Sequence, residues 1–242
     1  MSSHANSENA PPRTEHLEWG YEVGNGPDVW GRLSPEFILC AEGAHQSPID
    51  LADPTEAKLP AVVFNYRPTA LEIRNNGHTI EVASTSENWI EVGDARYELL
   101  QFHFHAPCEH TVAGRSFDME MHLVHQDGNG TLAVIGVLIE QGGENAAFEP
   151  LWAHLPGAAG AAQHHGNVAI NAEDLLPAPR HTYRYDGSLT TPPCSEGVKW
   201  LVLATPVELS AAQIARFRAI IHGNNRPVQP QGERELLVDA AI

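Results

Sequence analysis

The sequence predicts an α+β protein dominated by strands: a single domain on one large, mostly antiparallel β-sheet, with a few short peripheral helices. Three observations carry this expectation. Short alternating or fully apolar segments recur through the middle of the chain, turn signals separate them, and 18 Pro with 20 Gly in 242 residues leave little room for long helices. No internal repeat or low-complexity linker divides the chain.

Taken in order, residues 1–17 are polar and are expected to be a flexible segment ahead of a domain spanning 18–242. They lack the apolar core of an intact signal peptide. "ALEIRNN" (70–76) and "HTIEVAS" (78–84) read as strands around the turn signal "NNG", and "VGDA" (92–95) precedes a third, "YELLQFHFH" (97–105). "MEMHLVHQ" (119–126) and "TLAVIGVLIE" (131–140) follow, separated by "DGNG". Helical signals are few. "NAAFEPLWAHL" (145–155) forms one, and residues 210–221 form another, with Ser210 as candidate N-cap and Gly223 just past the end. Neither carries a reactive group, so both read as packing elements.

The formal net charge is −17 and the only lysines are Lys58 and Lys199. Phosphate recognition needs clustered cations, so neither nucleic acid nor an anionic membrane surface is an expected partner. No apolar run is long enough for a transmembrane helix. Three cysteines, Cys40, Cys108 and Cys194, allow at most one disulfide, and spacing alone does not choose the pair.

The chemistry concentrates in "LLQFHFHAPCEH" (99–110). On a strand, Gln101, His103 and His105 point to one face and Phe102 and Phe104 to the other. In "MEMHLVH", Glu120, His122 and Val124 share a face opposite Met119, Met121, Leu123 and His125. An antiparallel connection through Gly114 would set His122 across from the first pair, so three imidazoles would converge. Three neutral histidines with a fourth position open form a catalytic zinc site rather than a structural one, which fills all four places with protein ligands. Gln101 and Glu120 each stand two residues before a ligand on its own face, where they can accept its second ring N–H. His110 and His125 read as buried, hydrogen-bonded core histidines. His164 and His165 lie in an Ala/Gly-rich stretch that reads as exposed loop. The helical H-E-x-x-H of a zinc metalloprotease is absent.

The motifs "QSPIDL" (46–51), "NNGHTI" (75–80), "QFHFHAPCEH", "MEMHLVHQ", "YDGSLTTPPCSEGVKW" (185–200) and "NNRPVQPQGER" (224–234) together resemble the α-class carbonic anhydrases of bacterial type, over almost everything from "EWGY" onward. The resemblance implies a central twisted sheet of about ten strands and one Zn2+ per chain. It also implies reversible hydration of carbon dioxide to bicarbonate and a proton, with weak ester hydrolysis as a side activity. Carried over by position, the zinc ligands are His103, His105 and His122, and Gln101 and Glu120 are their second partners. Thr190 matches the threonine that orients the nucleophile, Glu109 the glutamate that accepts from that threonine, and His78 the proton shuttle. Val124, Val134, Leu189 and Trp200 match the apolar substrate wall, and Tyr21, Asn76 and Thr191 the positions that order water.

The same resemblance implies a Cys40–Cys194 disulfide, hence a periplasmic or secreted location, and the homodimer common among bacterial members. Cys108 departs from it, standing where the family usually has serine. Glu81 is expected to add negative charge near the cavity mouth and to raise the pKa of His78. The alternative reading is a non-catalytic zinc-binding module of the same family. Such a module would be marked by a lost zinc histidine or a lost threonine, and neither is lost here.

Overall fold

A computed structural model describes residues 18–239. The expected flexible segment 1–17 lies outside the described residues. Twelve strands form one sheet: β1 (Thr55–Ala57), β2 (Val62–Asn65), β3 (Thr69–Asn75), β4 (Ile80–Ala83), β5 (Trp89–Val92), β6 (Ala95–His105), β7 (Met119–Gln126), β8 (Leu132–Gln141), β9 (Gln163–Ile170), β10 (Thr182–Ser188), β11 (Glu196–Leu209) and β12 (Leu237–Asp239). The strand order is β1-β12-β10-β11-β8-β7-β6-β4-β3-β9, with β5 pairing both β2 and β6 off this path. Pairing is antiparallel except for β8 with β11 and β1 with β12.

Alternation along β6 and β7 divides the centre of the sheet into two unlike faces. Phe102, Phe104, Met119, Met121 and Leu123 enter the larger apolar cluster, as their spacing predicts. That face is covered by two short helical elements. A 3-10 turn (Ala146–Phe148) capped by the Asn145 side chain runs into a helix (Glu149–Trp152) that brings Leu151 and Trp152 to the cluster. The helix Ala211–Arg218 adds Ile214 and Phe217, and begins with a full capping box in which the Ser210 hydroxyl accepts from Gln213 N and Gln213 caps in return. It ends earlier than the sequence suggests, because the amides of Ile220 and Ile221 both turn back onto the Phe217 carbonyl.

His164 and His165 correct an expectation. They lie not in a loop but on β9, opposite Glu72 and Leu71 of β3. The open edge of β3 supplies backbone partners, and that outweighs the loop-like composition around them. His125 is the buried core histidine expected. Its ring meets the Tyr66 hydroxyl at 2.7 Å and the Ala133 carbonyl at 3.3 Å. Burial holds its pKa down to about 4, partly offset by backbone hydrogen bonds. His125 is therefore neutral in the folded protein and protonates more readily in the unfolded chain, so its contribution is fully present above about pH 6.5 and is lost as pH falls toward 4. A fall from 6.5 to about 4 corresponds to about 3 kcal/mol. Urea unfolding of the metal-free protein should show stability declining across that window, and the double variant Tyr66→Phe/His125→Leu should decline less by about that amount.

Cys40 and Cys194 form the disulfide, with Cα atoms 5.1 Å apart across 154 residues of chain. In the entropic account a loop of that length is worth about 5 kcal/mol. Reduction should lower the melting temperature and raise the thiols titrated in denaturant from one to three, whereas three thiols without reductant would exclude the bond.

Candidate metal centre

The register of β6 on β7 pairs His103 with His122 and His105 with Glu120. His103, His105 and His122 therefore stand on one face, and their ligand nitrogens lie within 4.8 Å of one another. Each ring has its other nitrogen engaged. His103 Nδ1 faces Gln101 Oε1 at 2.9 Å, His105 Nδ1 faces the Asn224 carbonyl at 2.7 Å, and His122 Nε2 faces Glu120 Oε1 at 2.9 Å. These acceptors fix the tautomers, leaving Nε2, Nε2 and Nδ1 as bare lone pairs aimed at one point. His105 Nε2 is buried with no hydrogen-bond partner. Such an orphan, together with three neutral imidazoles, fits a borderline-soft divalent cation. Burial, with mutual repulsion among the rings, keeps His103 and His122 below the usual histidine range, and burial takes His105 to about 4, so all three are unprotonated near neutrality.

Glu120 is the buried anion that organises the surroundings. Its Oε2 accepts from the amides of Glu109 and His110 and from the Cys108 thiol, and its Oε1 faces His110 Nδ1 and His122 Nε2. Burial alone would raise its pKa, but the two histidines beside it hold it well below the carboxylate range. His110 passes the chain on, through Nε2 to the Tyr185 hydroxyl at 2.6 Å, and Tyr185 donates to Ser47 Oγ. The approach is tight at Gly187, where a Cβ would stand 2.1 Å from Ser47 Oγ, so only glycine fits. His110, Glu120 and His122 also lie close enough to hold a metal, but their atoms already bond one another. Glu120→Ala should strand these donors and cost about 3–5 kcal/mol in urea unfolding. A loss below about 1 kcal/mol would contradict that account.

Glu109 accepts from Arg226 N at 2.7 Å and is buried, with Oε2 3.9 Å from His122 Nδ1. Burial raises its pKa to about 7 despite His122, the Arg226 amide and the neighbouring Thr190 hydroxyl. Thr190 is close enough to lower that value, yet Oε2 has no partner of ordinary hydrogen-bond geometry.

A cleft of about 130 Å3 reaches His103 and His105, and Tyr21, Asn76, His78, Glu81 and Thr191 line it. Val124, Val134, Leu189 and Trp200 do not line that cleft and belong to the second apolar cluster, with the Trp200 and His122 ring centroids 4.9 Å apart. A larger groove of about 630 Å3 elsewhere contains none of the three histidines. His78 is half-buried and stacks on Trp19, with ring centroids 3.7 Å apart. Its pKa is lowered by burial, against a smaller raising by Glu18, which corrects the expectation of a raised value. Glu81 pairs with Arg74 at 2.7 Å. Asn76 caps the amides of His78 and Thr79. Asn224, Arg226, Trp19 and Tyr185 were not singled out by residue pattern. "NNRPVQP" and "YDGS" were the available signals for Asn224, Arg226 and Tyr185, but the contacts those three make cross more than 70 positions of sequence.

A buried cluster of three neutral imidazoles, oriented by outer acceptors and open to a solvent cleft, has the form of a mononuclear metal enzyme rather than a structural metal site. The model of the eukaryotic-type carbonic anhydrase family matches residues 25–239, and the chain belongs to that family. It is 43% identical over 236 residues to a carbonic anhydrase of Nostoc sp., covering 96% of this chain and 89% of that one. It is 44% identical over 224 residues to a carbonic anhydrase of Neisseria gonorrhoeae, covering 92% and 88%. Among solved structures, the alpha-carbonic anhydrase of Thermovibrio ammonificans in complex with the inhibitor sulfanilamide is 46% identical, with a TM-score of 0.88 over 91% of this chain and 98% of that one. The protein is an enzyme of reversible carbon dioxide hydration.

Proposed function

We propose that His103, His105 and His122 hold one zinc ion and that the cleft above them is where carbon dioxide is hydrated. The observation that carries this reading is the convergence of three bare ring nitrogens whose opposite nitrogens are all engaged. A zinc ion there would lower the pKa of its water from about 15.7 to about 7, the general value for carbonic anhydrases, and so supply a nucleophile at neutral pH.

The chain's own residues do the rest. Gln101, the Asn224 carbonyl and Glu120 hold the rings so that their lone pairs meet without rearrangement. Thr190 donates its hydroxyl proton to Glu109, which leaves the threonine oxygen free to accept from the nucleophile and orient it. A cation at the histidines would favour the ionised Glu109 that this requires, against its burial. By the family resemblance Val124, Val134, Leu189 and Trp200 are the substrate wall; they belong to one apolar cluster, and the one side-chain donor among them, the Trp200 indole, is already spent on the Ser188 carbonyl at 2.9 Å. Such a wall suits a neutral, linear substrate. Tyr21, Asn76 and Thr191 order water along the cleft, and His78 takes the released proton to buffer, as an imidazole near neutrality can.

The disulfide supports an oxidising compartment, and the periplasm or the cell exterior is the location we propose. A homodimer rests on the family resemblance alone. Stopped-flow carbon dioxide hydration, with metal content measured on the same sample, tests the central reading. Activity should vanish on zinc removal and return on adding one equivalent per chain. Full occupancy by zinc without hydration would leave a binding module instead.

A further inference from the structure

We propose that the Asn224 side chain is a positioning residue for proton export, fixing the peptide of His78 against the strand that carries His103 and His105. The inference rests on the assignment of His78 as proton carrier.

Asn224 is 1% exposed and lies in the irregular segment after the last long helix. Its Nδ2 donates to the His78 carbonyl at 3.0 Å and to the Phe104 carbonyl at 2.9 Å, and its Oδ1 accepts from Ala106 N at 2.8 Å. Its backbone carbonyl is the acceptor for His105 Nδ1. Both amide protons are thus used on carbonyls, so the amide cannot flip, since flipping would set oxygen against oxygen. One buried group spans 146 residues to the turn between β3 and β4 and 120 residues to the end of β6.

Residues flanking His78 are tied elsewhere, Thr79 Oγ1 to the Phe104 backbone and Asn75 to Pro156 and Gly160, whereas the His78 peptide itself has two partners. Asn76 Oδ1 accepts from His78 N, and Asn76 N donates to the Thr79 carbonyl. Among the described residues, Asn224 is the side chain from outside the turn that hydrogen-bonds the His78 backbone. Asn76 therefore fixes the amide side of His78 and Asn224 the carbonyl side, while the ring lies flat on Trp19. Proton transfer through ordered water depends steeply on where the imidazole stands relative to the metal site. Substitution leaves the backbone carbonyl that receives His105 but removes the side-chain bonds to the His78 and Phe104 carbonyls and the Ala106 amide, so a misplaced turn would slow proton export while zinc retention reports any effect on His105.

The test uses zinc-loaded Asn224→Ala beside His78→Ala and the double variant. In weak buffer, kcat of N224A should fall by about tenfold while kcat/KM stays within about twofold, and imidazole should restore it. The double variant should be no slower than H78A. The His78 ring-proton resonances, shifted by the Trp19 ring current, should move toward unstacked positions. Zinc loss to a chelator should change by less than about threefold, where loss of an orienting partner would cost about 10–100-fold. A joint fall of kcat and kcat/KM without imidazole rescue, or fast zinc loss, would overturn the proposal in favour of a merely structural role. Unchanged N224A beside a slowed H78A would overturn it alone. An H78A enzyme as fast as the wild type in weak buffer would overturn the His78 assignment and this inference with it. Should N224A fail to fold, Asn224→Ser carries the same test, because a hydroxyl is neutral, shorter than the carboxamide and has one proton, so it cannot bridge both carbonyls.

Discussion

His103 stands opposite His122 because β6 and β7 pair antiparallel in one register, and the site depends on that register. Side chains alternate with a period of two, so a slip of one residue would send His122 into the apolar face and bring Met121 or Leu123 toward His103. The slip is prevented from behind. Phe102, Phe104, Met119, Met121 and Leu123 are all but fully buried on the opposite face, and turning them toward the cleft would forfeit roughly 1.5–3 kcal/mol each. The hydrophobic face thus enforces the placement of the polar one.

On the polar face the problem is reversed, since buried charges must be satisfied one by one. Glu120 meets donors on both oxygens, and Arg226 spends its guanidinium on Gln46, Ser47 and Cys40 while its amide serves Glu109. Losing one partner of such a network is far costlier than the net worth of the bonds. The same segment that carries Arg226 carries Asn224, so one irregular strap underpins His105, the Glu109 carboxylate and the His78 turn. Cys108 fits this picture as a small buried donor to Glu120, its pKa raised chiefly by burial. A thiol in place of a hydroxyl weakens one of several donors and leaves the others in place.

Much of the fold and site was legible in sequence because it is local. Period-two alternation placed Gln101, His103 and His105 on one face and the phenylalanines on the other, and Ser210 announced its helix. The failures share a cause. β9 was missed because its strand character comes from the edge of β3, and the direction of the His78 shift was missed because the burial that lowers it arises in the fold, where Trp19 from a distant part of the chain stacks on the ring.

The sequence by itself determined which residues could bind a metal and which faces they share, because these follow from residue chemistry and backbone period, and its motifs carried the family resemblance. Only the tertiary structure decided that the Asn224 carbonyl orients His105, that the Arg226 amide serves Glu109, and that Asn224 ties His78 to the strand that carries His103 and His105. Those outcomes are set by hydrogen bonds between segments more than a hundred residues apart, and no local pattern encodes such distances.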